Sequence, residues 1–142
     1  MVGKARAKIN LDLRVLDRRA DGYHNVRTLF ARIALHDTVA VESIPSGVEL
    51  SITGDAGGAE GSDNLVHRAV IALQQRISRS DGVRIELTKR IPTGAGLGGG
   101  SADAGATLRL VNQLWGDPLS PAELMELGGT LGADVPFLTA DY

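Results

Sequence analysis

The sequence predicts an α+β domain, on three observations. Ile9, Leu11, Leu13 and Val15 alternate with Lys8, Asn10, Asp12 and Arg14, the period of a half-buried strand. Val66, Val70, Leu73 and Ile77 fall at spacings of 4, 3 and 4, one stripe of an amphipathic helix. Between a second alternating run (Val83, Ile85, Leu87) and a second helical stripe (Ala104, Leu108, Val111, Trp115) lies a cluster of glycines. Strands come mostly first and helices last, the order of an α+β fold.

Taken in order, the first strand covers Lys8–Val15 and ends in the polar segment Asp17–Tyr23, with Asp21-Gly22 as its turn signal. Strands follow at Val26–Leu35, Thr38–Ser43 and Val48–Thr53, punctuated by Asp37 and by Pro45-Ser46-Gly47. Gly54–Gly61 reads as a loop. Ser62 or Asp63 caps a helix running to about Ser78. After the strand at Val83–Leu87 and the glycines, a helix spans about Ser101–Trp115. Ser120-Pro121-Ala122-Glu123 is a capping box with proline at the first helical position, and that helix ends in Gly128, Gly129 or Gly132. The apolar stretch Val135–Leu138 reads as the start of another element.

Composition narrows the function classes. The chain has 142 residues, the size of one domain, and 43% of them are hydrophobic, enough for a core. Lys plus Arg is 15 against 17 Asp plus Glu, a formal charge of −2 that argues against a strongly basic nucleic-acid binder. There is no cysteine, which excludes disulfides, thiolate metal sites and a cysteine nucleophile. The three histidines, 24, 36 and 67, show no ligand spacing. No signal-peptide run or membrane-length apolar window is present, so a cytoplasmic protein is expected.

Five glycines, at 94, 96, 98, 99 and 100, join the strand to the helix. Glycines let backbone N–H groups converge, and the helix start adds partial positive charge, so the segment suits a phosphate. A plain tight turn is the alternative. The loop lacks the lysine of a Walker A motif before Ser101. Gly94-x-Gly96-x-x-Gly99 matches the dinucleotide fingerprint literally, but helix rather than strand follows the helix, so that reading fails on context.

The segment Ile91-Pro92-Thr93-Gly94-Ala95-Gly96-Leu97-Gly98-Gly99-Gly100-Ser101-Ala102-Asp103-Ala104 resembles the phosphate loop of the GHMP kinase superfamily. Ala7-Lys8-Ile9-Asn10-Leu11, Arg19-Ala20-Asp21-Gly22-Tyr23-His24 and Leu131-Gly132-Ala133-Asp134-Val135-Pro136-Phe137 resemble three further motifs of that family, in family order and across nearly the whole chain. The resemblance implies one GHMP N-terminal domain over residues 1–142, a sheet packed on helices with a left-handed βαβ crossover, a fold shared with part of a ribosomal protein. It implies ATP and Mg²⁺ as cofactors. The extra glycines and the Asp21–His24 stretch resemble the members acting on a small molecule, a cytidine-diphosphate-linked methylerythritol whose 2-hydroxyl is phosphorylated in isoprenoid synthesis. No nucleic-acid or membrane partner is implied. Ala102 stands where the family often has a second serine, and nothing in the chain corresponds to the family's C-terminal domain, which closes the substrate cleft.

The resemblance also assigns roles. Asp134 is the candidate base and Lys8 its charge partner; the alternatives are a helix cap and a solvated strand lysine. Asn10 shares a strand face with Lys8 and is a candidate substrate contact. Tyr23 and His24 are candidates for holding the cytosine. Asn64, Lys89, Pro92, Thr93, Gly94, Ala95, Gly96, Leu97, Gly98, Gly99, Gly100, Ser101 and Ala102 are the candidate ATP contacts; Asn64 could equally help cap the helix that follows it. Ser101 could approach Mg²⁺ or only cap its helix, so no metal ligand is assigned. Three other readings remain: a nucleotide-binding module without chemistry, an RNA-contacting protein, and another GHMP kinase.

Overall fold

A computed structural model of the chain describes residues 1–54 and 61–140. Most of the expected loop at Gly54–Gly61 therefore lies outside the described residues. The elements are β1 (Val2–Arg18), β2 (His24–Ile44), β3 (Val48–Thr53), α1 (Leu65–Ile77), β4 (Gly82–Thr88), α2 (Gly99–Leu114), α3 (Pro121–Gly129) and α4 (Val135–Thr139), with a 3-10 turn at Gly61–Asp63.

The four strands form one sheet in the order β1-β2-β4-β3. β1–β2 and β2–β4 are antiparallel, while β3 and β4 are parallel neighbours joined through α1. On β4, Val83, Ile85 and Leu87 are buried while Arg84 and Glu86 are exposed. Arg84 pairs with Glu42 and Glu49 on the open face. The other face carries the core, where Val39, Val41, Ile85 and Leu87 meet Val66, Val70 and Leu73 of α1 and Leu108 and Val111 of α2. Each such side chain contributes about 1.5–3 kcal/mol when fully buried.

Three local expectations change. The runs Val26–Leu35 and Thr38–Ser43 are parts of one strand, β2, with Asp37 inside it rather than at a break. Helix α1 is capped by Asn64, whose Oδ1 accepts from the Val66 N–H at 2.8 Å; Ser62 and Asp63 belong to the 3-10 turn. Helix α2 starts at Gly99, two residues before Ser101, with Gly98 as its N-cap. The capping box of α3 forms as expected, Ser120 and Glu123 satisfying each other's backbone N–H groups.

The alternation of β1 expected from the sequence holds only as far as Asn10: a shift at Leu11 reverses the faces, so Leu13, opposite Thr28, shares the face of Lys8 and Asn10, and Asp12, opposite Leu29, that of Ile9. Ala5, Ala7 and Lys8 are buried, whereas Leu11, Leu13 and Val15 are 61%, 58% and 63% exposed. A register shift between Asn10 and Asp12 separates the two halves. The outer half of the β1–β2 hairpin projects past the helices and carries Tyr23 and His24 at its turn.

Candidate functional site

The glycine segment lies between the end of β4 and the first turn of α2. Gly94, Gly96 and Gly98 all have positive φ, a left-handed alternation that aims successive N–H groups into one concavity. No side chain caps α2, so its first-turn N–H groups stay available to an anion. Gly98 is further constrained by contact. Its φ is +69°, and a Cβ there would stand 3.1 Å from Lys8 Cγ.

A cavity of about 220 Å³ opens beside this loop. It is lined by Ile52 of β3, Leu87 of β4, Asp63, Asn64 and Leu65 at the start of α1, the loop from Lys89 and Ile91 to Gly100, and Asp103 of α2. Asn64, Lys89, Pro92, Thr93, Gly94, Ala95, Gly96, Leu97, Gly98, Gly99 and Gly100 thus share one wall; Ser101 and Ala102 lie within α2 and do not line it. The Lys89 ammonium is held by two carboxylates, Asp37 Oδ2 at 2.5 Å and Asp103 Oδ2 at 2.6 Å.

On the other side of the loop, Lys8 N–H donates to the Leu97 carbonyl at 2.9 Å, stitching β1 to the glycines. The Lys8 side chain is only 8% exposed, and its ammonium lies 3.3 Å from Asp134 Oδ2. Asp134 precedes α4, but its side chain makes no capping hydrogen bond; its carboxylate turns to Lys8 instead. Lys8 also donates to Asn10 Oδ1 at 2.7 Å, and Asn10 Nδ2 donates to Thr28 Oγ1 at 2.8 Å. The Thr28 hydroxyl donates to the Asp12 carbonyl at 2.9 Å. The Phe30 ring sits 4.8 Å from the Lys8 ammonium and 5.1 Å from the Phe137 ring.

Helix α4 is short, and its position is set from its far end. Arg109 donates to the Leu138 carbonyl at 2.8 Å, and Arg32 donates to the carbonyls of Phe137 and Ala140. Cations suit the carbonyl end of a helix. Gly105 of α2 lets α4 come close, since a Cβ there would stand 2.8 Å from the Leu138 carbonyl. Tyr23 and His24 are apart from this cluster, exposed at the hairpin turn, where Tyr23 N–H donates to Asp21 Oδ1 at 3.1 Å. No helix among the described residues is long and apolar enough to cross a membrane. No group of three or more acidic, histidine or cysteine side chains among them could hold a metal ion.

Residues 64–141 match the family described as GHMP kinases N terminal domain. The chain belongs to the GHMP kinase family. Similar curated proteins include 4-diphosphocytidyl-2-C-methyl-D-erythritol kinase of Neisseria meningitidis serogroup C (46% identical, covering 94% of this chain and 47% of that protein). The protein of the same name from Moorella thermoacetica is 49% identical, covering 94% of this chain and 46% of its own length. A crystal structure of 4-(cytidine 5'-diphospho)-2C-methyl-D-erythritol kinase superposes with a TM-score of 0.82 at 44% identity, over 97% of this chain and 48% of that one. A mevalonate kinase structure shares the fold, with a TM-score of 0.71 at 16% identity. The chain spans about half the length of the curated relatives it matches.

Sequence reasoning missed Asp37, Asp103, Thr28 and Phe30 as parts of this region. Asp103 stood within the quoted loop motif without a role. Asp37 carried one usable signal, an acidic residue between two apolar alternating runs of what is one strand.

Proposed function

We propose that the protein to which this chain belongs transfers the γ-phosphoryl group of ATP to the 2-hydroxyl of 4-diphosphocytidyl-2-C-methyl-D-erythritol, and that residues 1–142 supply its nucleotide loop and its base. The observation that carries the reading is the Lys8–Asp134 pair at 3.3 Å, closed against the glycine loop through the Lys8–Leu97 backbone bond. A carboxylate and an ammonium on one side of a phosphate cradle are what phosphoryl transfer to an alcohol requires.

ATP supplies the phosphoryl group, and Mg²⁺ would neutralise charge on its phosphates. The N–H groups of Gly94–Gly100 and of the first turn of α2 would hold the phosphates, with Asn64 and the cavity wall next to them receiving the rest of the nucleotide. Asp134 accepts the proton of the attacking hydroxyl. Lys8 orients that carboxylate and stabilises negative charge on the transferred group. Asn10 holds Lys8 and offers its amide to the polyol. Tyr23 and His24, exposed on the hairpin, would stack on and hydrogen-bond the cytosine. No side chain is assigned to Mg²⁺, which binds through phosphate oxygens and water with few protein ligands.

The test is a kinase assay with ATP and the cytidine-linked methylerythritol, product read by phosphorus NMR, on the natural gene product and its Asp134→Asn variant. Phosphorylation at another hydroxyl, or equal rates with homoserine or mevalonate, would overturn the substrate assignment while leaving the kinase reading.

A further inference from the structure

Both ends of the glycine loop are tied to one buried ammonium. Lys89, at the loop's start, is 7% exposed; Asp37 and Asp103 are 0% and 2% exposed. Besides Lys89, Asp37 accepts from the backbone N–H groups of Arg90 and, at 2.8 Å, Ile91. Lys89 then reaches Asp103 at 2.6 Å, in the first turns of α2 just past the loop's end. A Cβ at Gly99 would stand 3.4 Å from the same ammonium. The contacts run from β2, through the loop's first residues, to the helix that closes it.

We propose that Lys89 and Asp103 are positioning residues of the phosphate loop, Lys89 holding its two ends together and Asp103 setting, by its charge, how readily an anion seats there. The inference rests on the nucleotide reading above. Two carboxylates share one ammonium, so with both ionised the triad carries a surplus negative charge directly behind the cradle. One oxygen of Asp103, Oδ1, is buried without a hydrogen-bond partner, which leaves that carboxylate poorly compensated. Burial pushes Asp103 up to about 7 against the pull of Lys89, with Asp37 adding to the rise. Burial also pushes Asp37 up, but Arg90, Lys89 and Ile91 outweigh it and hold Asp37 below the usual range. Asp63 lines the same cavity, α1 carries His67, Arg68 and Arg76, and Arg90 follows Lys89 in the chain. β2 carries Arg32, His36 and Glu42; Arg84 of β4 is paired with Glu42 and Glu49 on the open face of the sheet, where Glu86 is also exposed. Lys8 and Asp134 are paired with each other. A polyanion seated in the loop makes ionisation of Asp103 harder still, so binding takes up protons near neutral pH.

The test is calorimetric titration of Mg-ATP into the 142-residue chain from pH 6 to 8.5, in two buffers of different ionisation enthalpy. The unmodified chain should bind about 3- to 10-fold more weakly at the high end, since one unit of pKa is tenfold, and should take up protons near pH 7. Asp103→Asn should lose the part of the pH dependence that is not due to ATP itself. The Lys89→Gln, Asp103→Asn double variant keeps one negative charge, that of Asp37, which is the net charge of the unmodified triad with both acids ionised; it should fold and bind about tenfold more weakly than the unmodified chain at pH 8.5, because the loop's ends are released. Parallel pH profiles for the unmodified chain and Asp103→Asn would overturn the role of Asp103, and an unchanged affinity in the double variant would overturn that of Lys89. Absence of Mg-ATP binding by the unmodified chain at every pH would instead overturn the nucleotide reading, and this inference with it.

Discussion

The Thr28 hydroxyl accepts the Asn10 amide at 2.8 Å, and this decides which way round that amide sits. With Nδ2 committed to Thr28, Oδ1 is left for the Lys8 ammonium. The hydroxyl's own proton goes to the Asp12 carbonyl, so its acceptor role toward Asn10 is fixed as well.

Thr28→Val should therefore loosen Lys8 without touching the nucleotide side. We expect turnover to fall about 5- to 30-fold, the equivalent of roughly 1–2 kcal/mol for a lost hydrogen bond, with Mg-ATP affinity unchanged. Steady-state kinetics beside nucleotide titration checks it. Loss of both in parallel would mark a folding defect.

Asp134→Asn keeps the size of the side chain but cannot take a proton. Turnover should drop by about 10²–10⁴, with ATP still bound. Lys8→Met should also lower turnover, and because the two residues act as a unit the double variant should lose less than the product of the single losses. Near-normal turnover in Asp134→Asn would send the search for the base elsewhere.

Gly98→Val places a branched side chain at a φ of +69° and against Lys8 Cγ. A β-branched residue resists that conformation, and Lys8 must move to make room. Circular dichroism should report a folded chain, while nucleotide binding and turnover should both be lost. Ordinary ATP affinity would mean that the loop is only a turn.

Tyr23 is 75% exposed, so Tyr23→Ala should leave the melting temperature alone. If the ring stacks on cytosine, affinity for the cytidine-linked substrate should fall by roughly 1–3 kcal/mol and that for ATP should not change. Equal weakening of both ligands would remove the assignment.

The triad should also shape stability in the absence of ligand. Asp103 has a folded-state value of about 7, above that of an ordinary carboxylate. Its contribution is fully present only below the ordinary carboxylate range, is lost progressively as pH rises from there to about 7, and is gone above it. Asp37 is shifted down and Lys89 up, so their contributions hold across neutral pH. Scanning calorimetry should show the unmodified chain melting several degrees lower at pH 8 than at pH 5.5, with the difference largely removed in Asp103→Asn. An identical fall in the variant would assign the effect to other groups.

The local parts of this fold were legible in the sequence, and the non-local ones were not. The glycine loop, the capping box at Ser120 and the helical stripe of α1 each declare themselves within a few residues. Asp37 looked like a break between strands because an acid inside an apolar alternation is normally a turn signal. It is tolerated in β2 because Lys89 and two backbone N–H groups, far away in sequence, satisfy it. The alternation of β1 showed neither the shift at Leu11, which turns Leu13 to the face of Asn10, nor that Leu11, Leu13 and Val15 would stand exposed, because both depend on pairing with β2. The Lys8–Asp134 pair joins the first strand to the start of the last helix; only the family resemblance, not periodicity or spacing, brought those two residues together.

That closure has a consequence for the order of events during synthesis. A ribosome adding about 5–20 residues per second needs on the order of ten seconds to travel from Lys8 to Asp134. Through that interval β1 and β2 can pair as a hairpin, and β3, α1 and β4 can join them, all without a proton acceptor beside the ammonium. The nascent chain acquires its loop and its sheet first, and the emergence of α4 is the moment at which the Lys8–Asp134 pair can first form.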